Sequence, residues 1–209
     1  MTTKQRIIDQ AIQSFNADGV VNVTLRKLAK SLGMSHGNLE YHYPIKEVLL
    51  LAIYQQMKFE ISQVYEQTND NDVMVQFNKL LLRLEAFHEK YLFFNLDILE
   101  VSRNYEKVDE LLKKTFHIRR HQMSHFYTQF IEMGYLKEEP RSGTYQRLQQ
   151  SIRILITFWK SQQKVIPHHD LSHQKMSEFI WDLLIPHMTE KGINAFQSYR
   201  FIETRLNCE

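Results

Sequence analysis

Cysteine, glycine and proline are all scarce in this sequence. The one cysteine, Cys208, excludes a disulfide within the chain and points to a reducing compartment. Six glycines and four prolines are few for a turn-rich β protein. No apolar run approaches the ~18 residues that a membrane span needs, and no apolar signal-peptide core follows Met1. We therefore expect a cytoplasmic globular protein that does not enter a membrane.

Net charge is also small, at +2, so composition alone does not announce a nucleic-acid-binding protein. The charges are nevertheless unevenly placed. Residues 1–59 carry seven bases and four acids, whereas the rest of the chain carries 19 bases and 20 acids. A small basic excess at one end is weak support for contact with an anionic partner, because charged faces are usually only solvated surface.

The apolar residues recur with helical periodicity, which predicts an all-α chain. A first helix is expected to bury Ile7 to Phe15 and to stop at Gly19, and further helices are expected over residues 25–32, 35–43, from 45 onward, 73–90, 91–104, 106–133, 144–164, 171–190 and 193–206. Residues 67–72 are the best linker-like break, and Pro186 is expected to kink or end its helix. We divide the chain into an N-terminal three-helix domain, 1–55, and a larger helical domain, 56–209.

The main functional signal lies in residues 24–43, where two short helices join through a tight turn. Thr24 and Ser35 are expected to cap these helices through their hydroxyls, and Gly33 tolerates the left-handed conformation that commonly closes a helix. This is the helix-turn-helix arrangement. By itself the pattern is as often a simple helical hairpin. The outward side of the second helix carries small polar and aromatic groups suited to a DNA groove.

A longer pattern makes the assignment specific, because it resembles the N-terminal domain of TetR-family regulators over about 45 positions. The matching residues are Phe15, Gly19, Thr24, Leu25, Arg26, Leu28, Ala29, Leu32, Gly33, Met34, Ser35, Gly37, Leu39, Tyr41, His42, Tyr43, Pro44, Lys46, Leu49 and Leu50. The resemblance implies a homodimer in which each N-terminal domain reads one half-site of double-stranded operator DNA. It also implies that the C-terminal helices dimerise and often enclose an effector.

Roles for single residues follow from their chemistry at the matching positions. Asn38 and Ser35 are candidates for base edges, since an amide can pair with adenine in the major groove. His36 and Gly37 permit close approach. The expected phosphate contacts come from the start of the helix at 25–32 and from the positions at which the family usually binds phosphate. Together with Thr24, these residues are Arg26, Lys27, Tyr41, His42 and Lys46. Glu40 departs from the family, which usually has an aromatic residue there.

The C-terminal half contains many aromatic residues, and these fit a packed core as well as a ligand cavity. The residues that we predict to line an effector pocket are Phe87, His88, Tyr91, Phe94, Asp97, Ile98, Phe126, Phe130 and Trp159. The expected effector is a small apolar or aromatic molecule that releases a repressor from its operator. A DNA-binding dimer without an effector stays open as an alternative, as does an all-helical enzyme, although no catalytic motif is present.

Two further expectations concern the last long helices and the histidines. Apolar positions from Leu148 to Trp159 and from Met176 to Leu184 can pair across a twofold axis into a four-helix bundle. His117, His121 and His125 share a helical face, but i and i+8 lie about 12 Å apart along the axis. That helical cluster and the one at 168–173 are interpreted as solvated histidines, so neither a metal nor another cofactor is expected.

Overall fold

The computed structural model describes residues 1–66, 72–165 and 175–206. Within these ranges the chain forms helices that are joined by short non-helical segments. Residues 67–71 of the predicted linker at 67–72 and the histidines at 168–173 lie outside the described residues. The helices are α1 (Thr3–Asp18), α2 (Leu25–Ser31), α3 (His36–His42), α4 (Lys46–Glu66), α5 (Val73–Lys90), α6 (Leu92–Asn104), α7 (Glu106–Glu132), α8 (Thr144–Val165), α9 (Met176–Leu184) and α10 (Glu190–Leu206).

The all-α prediction is confirmed: the described residues contain no strand, only one isolated antiparallel bridge between Leu136 and Met188. Most predicted helix ends fall within two residues of the observed ones. The helix predicted to reach residue 190 is wrong at its end, because α9 stops at Leu184 and a 3₁₀ turn, Ile185–His187, follows. Pro186 lies in that turn, where its missing N–H and fixed φ prevent the α-helix from continuing.

The first three helices pack as the apolar pattern predicts. Phe15 of α1, Leu28 and Ala29 of α2, and Leu39 of α3 are all buried in one cluster. The Thr24 hydroxyl accepts a hydrogen bond from Lys27 N at 3.2 Å, which confirms the expected cap. At the turn, Gly33 has a φ of 66°, a value that most L-residues avoid. Local chemistry therefore fixes the angle at which α3 leaves α2.

The described chain divides into two compact units, and α4, α5 and α7 each contribute residues to both. Unit 1 comprises Met1–Gln63 and Ala86–His117. Unit 2 comprises Val64–Glu85 and Ile118–Glu209. The core of unit 2 has Phe77 at its centre, with ring centroids 5.2 to 5.4 Å from those of Phe126, Phe130 and Trp181.

The start of α10 makes an unusually close approach within unit 2. Thr189 N donates to Tyr135 O at 2.9 Å, and Gly192 follows in the first turn of α10. A Cβ placed on Gly192 would lie 2.3 Å from the carbonyl oxygen of Tyr135. No side chain fits at that distance, so the contact between this backbone and α10 requires glycine.

The helices and side chains of the described residues bear on membrane and metal binding. None of their helices combines the length and hydropathy that a bilayer-spanning segment needs. Among the same residues, no three His, Cys, Asp or Glu side chains are grouped so that they could hold a metal ion.

Candidate nucleic-acid interface

Helix α3 presents one packed side and one open side. The Ser35 hydroxyl accepts from Asn38 N at 3.2 Å and caps the helix, as its sequence predicts. Leu39 is fully buried and holds α3 against the rest of unit 1. Asn38 and Tyr41 are exposed, Tyr41 by 84%, and His42 is half-buried. The open side therefore carries an amide, a phenol and an imidazole, which are hydrogen-bonding groups available to a partner.

Nothing in the fold of the chain requires glycine at position 37. A Cβ built at this position would have no heavy atom within 4 Å, and its φ is not in the left-handed region. Glycine inside a helix costs about 1 kcal/mol relative to alanine. A glycine that the fold does not need, on the open side of a helix, is typical of a surface that another molecule approaches closely.

Glu40, the residue that departs from the family pattern, has a partner on its own helix. Its carboxylate Oε2 lies 3.5 Å from Nδ1 of His36, one turn earlier, and both side chains are partly exposed. A positive charge on His36 would offset the negative charge of Glu40. The pair also orients both side chains along the open side of α3.

The predicted phosphate-binding cations of α2 are at the surface. Arg26 and Lys27 are both exposed, as is Thr24 before them. Lys27 also donates through Nζ to the carbonyl oxygen of Asn22 at 2.9 Å. These side chains lie at the first turn of α2, where free backbone N–H groups add partial positive charge.

Lys46 is differently placed, because its ammonium contacts its own protein. Nζ donates to the carbonyl oxygen of Val20 and lies 5.8 Å from the ring centroid of Phe15. Partial burial lowers the pKa of Lys46 from its usual value, while the negative charge of Asp97 acts in the opposite direction. A phosphate contact by Lys46 stays a prediction, and it would have to share the ammonium with Val20.

Asp97 contacts the same loop from the other direction. Its carboxylate Oδ2 accepts a hydrogen bond from Val20 N at 2.7 Å, although the two residues are 77 positions apart in the sequence. We predicted Asp97 for an effector pocket, and the structure instead brings it to the connection between α1 and α2. We call Val20, Lys46 and Asp97 the loop anchor, since both backbone polar groups of buried Val20 are bound there.

The other predicted pocket residues are divided between the two units. In unit 1, Phe87, Tyr91 and Phe94 pack among aromatic neighbours. Buried His88 has Nδ1 at 2.8 Å from Oδ1 of Asn95. Ile98 is buried in the same core. In unit 2, Phe126 and Phe130 surround Phe77, and the Trp159 ring lies 4.6 Å from that of Phe179. A cavity that the described residues form between α7 and α8 is lined by none of the nine.

Comparison with protein families gives two adjoining matches. Residues 7–53 match the family described as bacterial regulatory proteins, tetR family. Residues 56–196 match the TetR family described as bacterial transcriptional repressor. Among curated proteins, the uncharacterized HTH-type transcriptional regulator TtgW of Pseudomonas putida is 39% identical over 51 residues. That match covers 24% of this chain and 38% of the relative, so the chain matches well under half of that protein's length.

Solved structures are similar over nearly the whole chain. A TetR-family regulator from Marinobacter aquaeolei has a TM-score of 0.85 at 18% identity, covering 96% of this chain and 98% of its own. A transcriptional regulator from Saccharomonospora viridis, solved in complex with choline, has a TM-score of 0.74 at 19% identity and covers 90% and 97%. At these identities the likeness establishes the fold.

Proposed function

Because the chain belongs to the TetR family of bacterial transcriptional regulators, we propose that it is a homodimeric repressor whose two α3 helices read the half-sites of an operator. Members of this family are DNA-binding transcription factors and not enzymes, which sets aside the helical-enzyme alternative. We assign DNA reading to residues 1–55 and dimerisation and effector binding to 56–209. The proposed location is the cytoplasm, where its double-stranded DNA would be.

The open side of α3 carries the DNA-reading proposal. A major groove about 12 Å wide admits an α-helix, and the exposed amide of Asn38 can pair with an adenine edge. Ser35 can reach either type of base, and Gly37 leaves room for the helix to approach. The buried Leu39 keeps this side outward. Glu40, paired with His36, can accept from the amino group of cytosine.

Phosphate contacts would fix the position of α3 in the groove. Arg26 and Lys27 are exposed at the start of α2 and can bind one strand. Tyr41 and His42 stand at the end of α3 with ring centroids 5.2 Å apart, and both carry polar tips. Lys46 would add a further contact if its ammonium can serve a phosphate as well as Val20.

A dimer is supported by apolar side chains left at the surface of α8. Ile154 is 52% exposed and Phe158 is 40% exposed, one turn apart on the same helix. On α9, Phe179 and Leu183 are only half-buried. Two such helices from each subunit can form a four-helix bundle about a twofold axis. Twofold symmetry would match a palindromic operator, with one half-site for each α3.

We also retain the hypothesis of a small apolar or aromatic effector. It would favour a conformer whose two α3 helices are wrongly spaced for the operator, within the limit set by its differential affinity for the two conformers. A similar fold holds choline, which supports small-molecule binding in such helical domains. The dense aromatic packing of the predicted pocket residues instead favours the alternative, a DNA-binding dimer without an effector.

The decisive experiment for DNA reading is to sequence the fragments that the purified chain retains from a random duplex library. We expect a palindrome. Asn38→Ala should then relax selection at one base pair in each half-site, whereas Asn194→Ala, which changes an exposed asparagine of α10, should leave the selected sequence unchanged. Retention of fragments without any common sequence would contradict the proposal.

Effector release is tested separately on the selected operator. A panel of apolar and aromatic small molecules is screened by thermal unfolding of the chain and then by loss of operator binding. We expect at least one compound to raise the unfolding temperature and to weaken operator binding. If no compound does either while operator binding itself is tight, the alternative without an effector is correct.

A further inference from the structure

A cavity of about 340 Å³ lies in unit 2 between α7 and α8. Its volume is at the lower end of the range of small-molecule sites. One wall comes from α7, with Arg120, Ser124 and Tyr127, and the other from α8, with Gln149 and Arg153. The Ser124 hydroxyl donates to Oε1 of Gln149 at 2.8 Å and joins the two walls at one point.

Two arginines line this cavity, and neither has a carboxylate partner among the described residues. Arg153 is half-buried, and it donates to the side-chain oxygen of Gln150, which is uncharged. Burial, together with the positive charge of Arg120, lowers the pKa of Arg153. Two guanidinium groups that repel each other, that of Arg153 half-buried and that of Arg120 exposed, are a favourable site for an anion.

The one acidic group of the cavity wall is already engaged elsewhere. Glu139 accepts from Gly143 N at 3.0 Å and from Tyr145 N at 2.8 Å, each through a different carboxylate oxygen. These bonds satisfy free N–H groups at the start of α8, which is the usual place for a carboxylate. Glu139 therefore caps α8 and forms no ion pair with either arginine.

A buried hydroxyl adds a second, independent observation. Tyr127 is only 3% exposed, and its hydroxyl has no hydrogen-bond partner among the described residues. An unsatisfied buried hydroxyl is costly, and native structures usually supply a partner. Burial also raises the pKa of Tyr127, so the phenol keeps its proton and can donate it. A ligand oxygen in the cavity would satisfy this hydroxyl.

We propose that this cavity binds a small organic carboxylate, held by Arg120, Arg153 and the hydroxyl of Tyr127. Guanidinium groups match the planar geometry of a carboxylate, and the ring of Tyr145 and the side chain of Ile131 offer an apolar surface to the body of the molecule. The site goes beyond the proposed function, because none of the predicted effector-pocket residues lines it.

The cavity also lies on a different side of α8 from the surface assigned to the dimer. Phe158 follows Arg153 by five positions, which places it about 140° further round the helix. Exposed Phe158 and Ile154 can therefore contact a second copy while the cavity stays open to a small molecule. The site does not depend on dissociation of the dimer.

Calorimetric titration of the full chain with benzoate tests the proposal, with benzyl alcohol and inorganic phosphate titrated in parallel. We expect benzoate to bind and both other probes to bind at least about tenfold more weakly, since one lacks the charge and the other lacks the apolar body. Equal binding of benzyl alcohol or phosphate would overturn the assignment of an organic carboxylate, as would no detectable binding of benzoate.

Variants then locate the site. The double variant Arg120→Gln/Arg153→Gln should weaken benzoate binding by at least about tenfold, and Tyr127→Phe by roughly three- to tenfold. The matched control is Arg103→Gln/Arg141→Gln, which removes the same charge from exposed positions that do not line the cavity and should bind as the parent does. Equal loss in both double variants would overturn the proposal. Operator binding without benzoate shows whether each variant is folded, and it distinguishes failure of this site from failure of the proposed function.

Discussion

The inner and outer sides of the N-terminal helices use polar groups in opposite ways. On the inner side, the loop anchor binds both backbone polar groups of Val20 through Asp97 and Lys46, with Asp97 at 2.7 Å. On the outer side of α3, Asn38 and Tyr41 are exposed, and Nδ1 of His36 lies 3.5 Å from Oε2 of Glu40 in a partly solvated pair. Internally bound groups should determine stability, and exposed groups should determine binding.

The largest expected effect comes from removing the apolar contact that separates the two sides. Leu39→Ala should lower the free energy of unfolding by about 2–5 kcal/mol, because it leaves a cavity under α3 where the parent residue is fully buried. Urea unfolding measures this loss. Leu39→Met, which nearly conserves volume, should cost less than about 1.5 kcal/mol. An alanine variant as stable as the parent would show that α3 is not anchored from within.

A smaller loss is expected from the loop anchor. Asp97→Ala leaves the N–H of buried Val20 without an acceptor and should cost about 1–3 kcal/mol of unfolding free energy. Asp97→Asn keeps an acceptor oxygen and should recover part of that loss in the same urea titration. If both variants lose the same amount, the charge of Asp97 beside Lys46 matters more than the hydrogen bond.

A comparison of two cations sharpens the distinction further. Arg26→Ala should change stability by less than about 0.5 kcal/mol, since Arg26 is exposed, and should reduce the slope of log affinity against log salt by about one. Lys46→Ala should weaken binding to all duplexes alike and also reduce stability, because Lys46 binds Val20. Unfolding curves and titrations at two salt concentrations separate these outcomes. Identical behaviour of the two variants would contradict the distinction between internally bound groups that determine stability and exposed groups that determine binding.

A change in stability of opposite sign is expected at Gly37. Gly37→Ala should stabilise the chain by up to about 1 kcal/mol, because alanine is the better helix former and its Cβ meets nothing within 4 Å. Operator affinity should fall at the same time, since the methyl group stands on the open side of α3. Thermal unfolding and gel-shift titration measure the two effects, and unchanged affinity would remove Gly37 from the interface.

Local chemistry is what made the helix-turn-helix segment, residues 24–43, predictable from sequence. The caps at Thr24 and Ser35 and the left-handed Gly33 depend on residues within a few positions of each other, and the structure confirms all three. The same holds for Pro186 at the end of α9. Apolar periodicity similarly gave the helices, since the buried stripe of an amphipathic helix is legible without a partner.

Contacts between distant residues were not predictable in this way. Asp97 reaches Val20 across 77 positions, and no local pattern marks a carboxylate for that backbone amide. Aromatic residues such as Phe126 fit a core or a ligand pocket equally well, and only three-dimensional packing puts Phe126 against Phe77. Arg120 and Arg153 likewise meet at one cavity because α7 and α8 pack together, a pairing that their spacing does not reveal.

The close approach at Gly192 has a consequence for how this protein can vary. With the carbonyl oxygen of Tyr135 only 2.3 Å from where a methyl carbon would stand, a library randomised at codon 192 and selected for a folded chain should return glycine almost alone. Codon 37 should tolerate alanine under the same selection, and lose it only when survival depends on the operator. One glycine would then report on the architecture of the chain and the other on its use.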